Sequence, residues 1–176
     1  FIKGHIQDLG LGIDALDEYL RAHPVNSHED YAALKAWETA QRRDNPLVAD
    51  ASVDLVISNC VLNLVDDHEK QHMIREIFRV LKPGGRIAIS DIVSDQMIPA
   101  NMKNDPELWS GCISGAFRED EFLDAFTTAG FNAACYDKWD AEPWRIIEGI
   151  EFRSVTLTAI KPEVGNEQII DRAVIY

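Results

Sequence analysis

Val53-Asp54-Leu55-Val56-Ile57-Ser58, running on into Asn59-Cys60-Val61-Leu62-Asn63-Leu64, is the stretch around which the rest of the chain organises. It is apolar but for Asp54 until Ser58, the pattern of a strand in a parallel sheet covered by helices on both faces. Such sheets bind their ligands where the strands end. At that spot stands a thiol, Cys60. A buried cysteine is ordinarily a small hydrophobe, so its meaning depends on whether a second thiol reaches it.

Downstream, residues 67–81 read as an amphipathic helix with Met73, Ile74, Ile77, Phe78 and Leu81 on one side. "KPGG" (82–85) stops it, and "RIAISDIV" (86–93) is the next strand. Residues 119–129 form a further helix, with Glu119, Asp120 and Glu121 at its positive end and Gly130 after it. Strands follow near 131–137 and 152–160. Upstream, "FIKGHI" (1–6) reads as a short strand, followed by helices to about residue 46. Ser27 with Asp30 marks the start of the second of these and Asn45-Pro46 its end. Gly10-Leu11-Gly12 reads as a turn before a helix, because a lone GxG without a third glycine is a weak cofactor signal. The order of elements is that of an α/β domain with a largely parallel sheet.

The chain has 176 residues, 46% of them hydrophobic, enough for one domain with a sizeable core. Its net charge of −13 argues against nucleic acid or an anionic membrane as the main partner. No apolar run approaches the roughly 20 residues of a membrane helix. Cys60, Cys112 and Cys135 are too few and too widely spaced for a disulfide framework or a zinc finger, and point to reduced thiols in the cytoplasm. His68 and His72 stand at i, i+4 on a face that reads as solvated. The residues alone leave open whether Cys60 and Cys112 are inert core thiols or a ligand pair.

Three stretches, "SNCVLNL", "NDPELWSGCISGAFRED" and "EPWRIIEGIEFRSVT", together resemble arsenite S-adenosylmethionine methyltransferases of the class I methyltransferase superfamily. "VLKPGG" fits the same superfamily. The resemblance implies a partial Rossmann-like α/β sheet, its strands 3 to 7, with helices on both faces and an antiparallel hairpin at the end. "FIKGHI" would be strand 3 and "DLVIS" strand 4. In that superfamily the strand order is 3-2-1-4-5-7-6, so strand 4 is expected to have a free apolar edge. Association through that edge, or a rearranged N-terminal segment, is the expected consequence.

On this resemblance residues 1–162 are the C-terminal part of a methyltransferase domain, with a helical insertion at about 10–46. Residues 163–176, ending "RAVIY", start a C-terminal domain. The glycine-rich loop and the acidic residue after strand 2 are not in the sequence, and the chain is expected to be an internal piece of a longer protein. The implied activity is methyl transfer from S-adenosylmethionine to thiol-bound As(III), with arsenite or glutathione-bound arsenite as substrate. Cys60 and Cys112 would hold the arsenic, because soft thiolates suit soft centres.

Ile6, Gln7, Asn59, Cys60, Val61 and Leu64 would contact the cofactor, chiefly its adenine. The chain alone is expected to bind S-adenosylmethionine poorly and to be inactive. A non-catalytic thiol-based metalloid binder, or a methyltransferase for another small acceptor, are the alternatives. Cys135 matches no motif, and Glu148, Glu151 and Arg153 receive no role.

Overall fold

The computed structural model describes residues 2–163. The expected start of a C-terminal domain at 163–176 lies, from residue 164, outside the described residues, as does Phe1 of the expected first strand.

The main sheet grows from the opening stretch. β3 (Val53–Asn59) pairs in parallel with β4 (Leu81–Ser94), and the α3 helix (Asp67–Val80) connects them. Asp66 caps α3 by accepting the N–H of His68. Met73, Ile74 and Ile77 point from α3 into the core with essentially no exposure. The helix ends at Val80, and "KPGG" already belongs to the irregular start of β4. There Leu81 pairs with Val53 across a register shift.

β8 (Ile150–Ile160) runs antiparallel to β4, and β6 (Asn132–Trp139) antiparallel to β8, giving the order β3-β4-β8-β6. This is the 4-5-7-6 order expected of the sheet. The short β5 (Phe117–Arg118) adds to the end of β4, and β7 (Arg145–Ile147) to β8. Neither was expected, since two or three residues leave no periodic pattern. Glu148 and Gly149, both at positive φ, make the tight turn between β7 and β8.

Alternation along β4 separates the two faces. Ile87, Ile89 and Val93 join Val155, Leu157 and Ala159 of β8 beneath α3 and α6 (Glu119–Thr128), where Phe122, Phe126 and Phe131 stack edge to face. Ile92 and Phe152 face the other way. They meet Ile98, Met102 and Ile113 beneath the short helices α4 (Ala100–Lys103) and α5 (Pro106–Ser110). This second cover reaches only the carboxyl end of the sheet. Leu55 and Ile57 of β3, at 51% and 70% exposure, stay open, unlike the two-sided burial expected of that strand.

"FIKGHI" departs from the strand-3 reading, and the N-terminal segment is rearranged, one of the two consequences expected of the free edge. It does not join the main sheet: β1 (Gly4–His5) and β2 (Asp8–Gly12) form their own antiparallel hairpin, and β3 keeps β4 as its one neighbour among the described residues. The hairpin packs on α2 (His28–Asp44) and α3. Gly10 and Gly12 lie in β2 rather than in a turn, and the helical insertion begins only with α1 (Ile13–Ala22). A Cβ at Gly4 would sit 2.3 Å from Leu47, and one at Gly10 3.0 Å from Arg42, so these glycines let the hairpin close on its neighbours. α1 and α2 meet through Tyr19 stacked on Trp37, with ring centroids 4.3 Å apart. Ser27 caps α2 by accepting the Asp30 N–H, as its sequence signature indicates.

Candidate functional site

The carboxyl ends of β3 and β4 converge with the loop after α5. Cys60 continues the ladder by donating its N–H to the Ser90 carbonyl (2.9 Å), and the chain then turns sharply, with Cys60 at φ 54°. A single 3-10 turn, Leu62–Leu64, follows. Asp91 holds that turn, its carboxylate accepting the Asn63 N–H at 3.3 Å.

On the other side Asp105 caps α5 through the N–H groups of Glu107 and Leu108, with Pro106 at the first helical position. Two residues beyond that helix Cys112 stands at φ 61°. Left-handed backbone is unusual for a residue with a Cβ, and it occurs at both thiols. The Cys112 Sγ lies 3.8 Å from the Cys60 carbonyl oxygen, so the fold brings two cysteines 52 positions apart into contact, side chain to backbone.

A thiolate is the ligand form that soft centres favour, so the ligand reading implies a site that favours deprotonation; the electrostatics of the pair run the other way. Partial burial pushes the Cys60 thiol up from its ordinary value, and the Asp91 carboxylate pushes it further. Burial, then Asp91, then Cys60 do the same to Cys112. Asp91 is itself 2% exposed, and burial raises its carboxyl against the N–H donors of Ile92, Asn63 and Leu62. At pH 8 both thiols should therefore be alkylated by iodoacetamide more slowly than free cysteine, with rates rising as pH climbs through the raised thiol values. Asp91→Asn removes a negative charge and should speed both reactions. Rates equal to free cysteine, or unchanged by Asp91→Asn, would contradict this.

The other expected residues divide. Asn59, Val61 and Leu64 sit beside Cys60 at the end of β3, all exposed, with the Asn59 side chain accepting from the Cys60 thiol at 3.3 Å. Ile6 and Gln7 form the turn of the separate hairpin. Ile6 packs on the main core, and Gln7 donates to Glu69 in the first turn of α3 at 3.3 Å. Cys135 is exposed on β6, its sulfur 3.6 Å from the Thr158 hydroxyl and away from the pair. Arg153 pairs with Glu151, donates to the Ala141 carbonyl and lies over the Trp139 ring, while Glu148 accepts from Asn101. Arg153 and Glu151 thus tie β8 to the segment at 139–141, and Glu148 ties the β7–β8 turn to α4.

Sequence reasoning missed Asp91, Asn63 and Lys70. The one signal was a charge inside the apolar run "AISDIV". Among the described residues no cluster of three or more His, Cys, Asp or Glu is arranged to hold a metal ion. No helix among them is long and apolar enough to cross a membrane.

The family described as "Methyltransferase domain" matches residues 37–130. The chain belongs to this methyltransferase-domain family. The match runs from α2 through α6, and so includes β3, β4 and both thiols of the pair. An arsenite methyltransferase of Halobacterium salinarum is 46% identical over 130 residues, covering 74% of this chain and 32% of that protein. The arsenite methyltransferase of Aquipseudomonas alcaligenes is 33% identical over 129 residues, covering 69% and 36%.

This methyltransferase-domain chain thus spans about a third of the length of these curated relatives. Among solved structures, an arsenic(III) S-adenosylmethionine methyltransferase from Chlamydomonas reinhardtii has the same fold. Its TM-score is 0.58 at 24% identity, over 86% of this chain and 62% of that one.

Proposed function

We propose that this chain is the acceptor-binding part of a cytoplasmic arsenite methyltransferase, in which Cys60 and Cys112 together hold As(III) as the substrate of methyl transfer. One observation carries the reading. Two cysteines remote in sequence come into contact at the carboxyl end of the parallel pair β3–β4, with the Cys112 sulfur 3.8 Å from the Cys60 carbonyl oxygen. The similarity to arsenite methyltransferases supports the choice of acceptor.

The chemistry balances with neutral thiols. Arsenous acid condenses with two S–H groups to give a dithiol-bound As–OH and two waters, each thiol proton leaving with a hydroxyl of the acid. The raised thiol values therefore do not oppose binding. The third position on arsenic stays open to water or to the thiol of glutathione. Held by two sulfurs, arsenic keeps its lone pair, and the chain's task is to aim it, an alignment that contributes several kcal/mol of rate.

For the cofactor the chain supplies part of a site. Val61 and Leu64, at 37% and 44% exposure, with Asn59 beside them, offer an apolar ledge suited to adenine. Ile6 and Gln7 would extend it from the hairpin turn. S-adenosylmethionine, when bound, supplies an electrophilic methyl group on its sulfonium. Gly10 and Gly12 are packed against Arg42 and Leu47 and do not cradle its polar end.

The acceptor class is tested by protection. Arsenite should shield Cys60 and Cys112 from alkylation at stoichiometric concentration, while a panel of catechols, amines and carboxylates should not. Protection by an organic acceptor alone would favour another methyltransferase class, and protection by none would remove the reading.

A further inference from the structure

We propose that Asn63 is the positioning residue that sets Cys112 opposite Cys60, by fastening the loop of the second thiol to the turn that follows the first. This rests on the reading of Cys60 and Cys112 as the arsenite ligands.

Asn63 is 1% exposed and lies three residues after Cys60. Its carboxamide nitrogen donates to two backbone carbonyls, Ile92 at 2.7 Å and Cys112 at 3.1 Å. Both partners are acceptors only, which fixes the orientation of the amide, since the flipped form would set oxygen against oxygen. Its backbone N–H is held by the Asp91 carboxylate at 3.3 Å, so the donor side chain has an anchored base.

The same residue presses on the loop a second time. A Cβ at Gly115 would lie 2.0 Å from the Asn63 carbonyl oxygen, a distance that only glycine permits. Lys70, 3% exposed, then donates to the Gly115 carbonyl at 2.6 Å. The Cys112 loop is thereby tied at residues 112 and 115. Of the small residues around Cys112, Gly115 is the one whose lack of a side chain the packing requires.

The left-handed backbone of Cys112 gives these ties a purpose. A residue with a Cβ holds that conformation only when its surroundings over-determine it. The bond from Asn63 to the Cys112 carbonyl acts on the very peptide whose rotation would release it. Without the donor, Cys112 relaxes toward ordinary backbone and its sulfur turns away from Cys60. A buried amide that merely satisfied two carbonyls would leave the reach between the thiols unchanged on replacement.

The test compares a two-thiol probe with a one-thiol probe on the 176-residue chain. Phenylarsine oxide bridges paired thiols, whereas N-ethylmaleimide reports each thiol singly. The parent chain should bind one equivalent of phenylarsine oxide through Cys60 and Cys112. Asn63→Leu, and Asn63→Asp as a variant of nearly unchanged shape, should lose at least about tenfold in that affinity, as for a chelate whose geometry is spoiled. Their maleimide rates at both thiols should be unchanged or faster. Gly115→Ala, which pushes the loop from the other side, should behave alike.

Ile74→Val, a core change in α3, sets the background for general loosening and should keep phenylarsine oxide binding. Variants at Asn63 that bind the probe as tightly as the parent would overturn the proposal. So would equal loss in Ile74→Val, or Asn63 variants that both unfold, since Asn63 would then serve the fold and not the pair. A parent chain that fails to bind the probe would remove the ligand reading itself, and Asn63's role with it.

Discussion

Replacing Cys60 and Cys112 by serine in one chain is expected to lower its affinity for arsenite by about 10²–10⁴-fold, or about 2.7–5.5 kcal/mol. The reason is chelation. Once one sulfur has bound, the second reacts as an intramolecular group whose effective concentration the fold sets. Either single replacement should thus remove most of the affinity, and the double variant should add little, so the two changes are far from additive. Cys135→Ser should have no effect, because that thiol lies on β6, bonded to Thr158 and away from the pair. Calorimetric titration of the parent chain and these four variants reads the pattern directly. Independent, additive losses, or equal sensitivity at Cys135, would mean that the thiols do not act as a pair.

The second large effect is a contrast between ligands. The 176-residue chain should bind S-adenosylmethionine orders of magnitude more weakly than it binds arsenite, and should show no turnover. Asn59, Val61 and Leu64 offer a surface for the adenine, but the described residues provide no glycine-rich cradle for the methionine end. Gly10 and Gly12 are enclosed by Arg42 and Leu47. Hydrogen bonds to charged groups contribute roughly 1.5–3 kcal/mol each, so lacking two or three of them weakens binding at least about a hundredfold. Titration calorimetry with the cofactor and, separately, with arsenite compares the two. Micromolar cofactor binding would show a pocket that these residues are not expected to form.

The fold was legible where periodicity was long. The apolar run at 53–59 predicts β3, which is found there, and Met73, Ile74 and Ile77 mark α3. The ends were less legible. Helix α3 stops at Val80 because Leu81 is taken by pairing with Val53, a long-range event that local glycine and proline chemistry does not register. "FIKGHI" has strand composition, yet two of its residues pair with Asp8–Gly12 in place of the main sheet. Nothing within six residues says which partner a strand will find.

At the site, the thiols could be named only because their surrounding motifs resemble a known family. The periodicity of "SNCVLNL" alone does not separate ligand from core. Asn63, Asp91 and Lys70 stayed hidden for a different reason. Each acts through a backbone carbonyl or N–H on another segment, as Asn63 does across 49 positions to Cys112, and such partners leave no trace in residue type. The positive φ at Cys60 and Cys112 was equally unreadable, since cysteine gives no local signal for left-handed backbone.

One arsenic atom is expected to be shared by Cys60 and Cys112. Arsenic K-edge X-ray absorption on the chain titrated with one equivalent of arsenite tests it most directly. Two sulfur neighbours per arsenic, with the third position taken by oxygen, is the expected shell, falling to one sulfur or none in Cys60→Ser. An all-oxygen shell in the parent chain, or a two-sulfur shell that survives the Cys60→Ser, Cys112→Ser double change, would contradict the account.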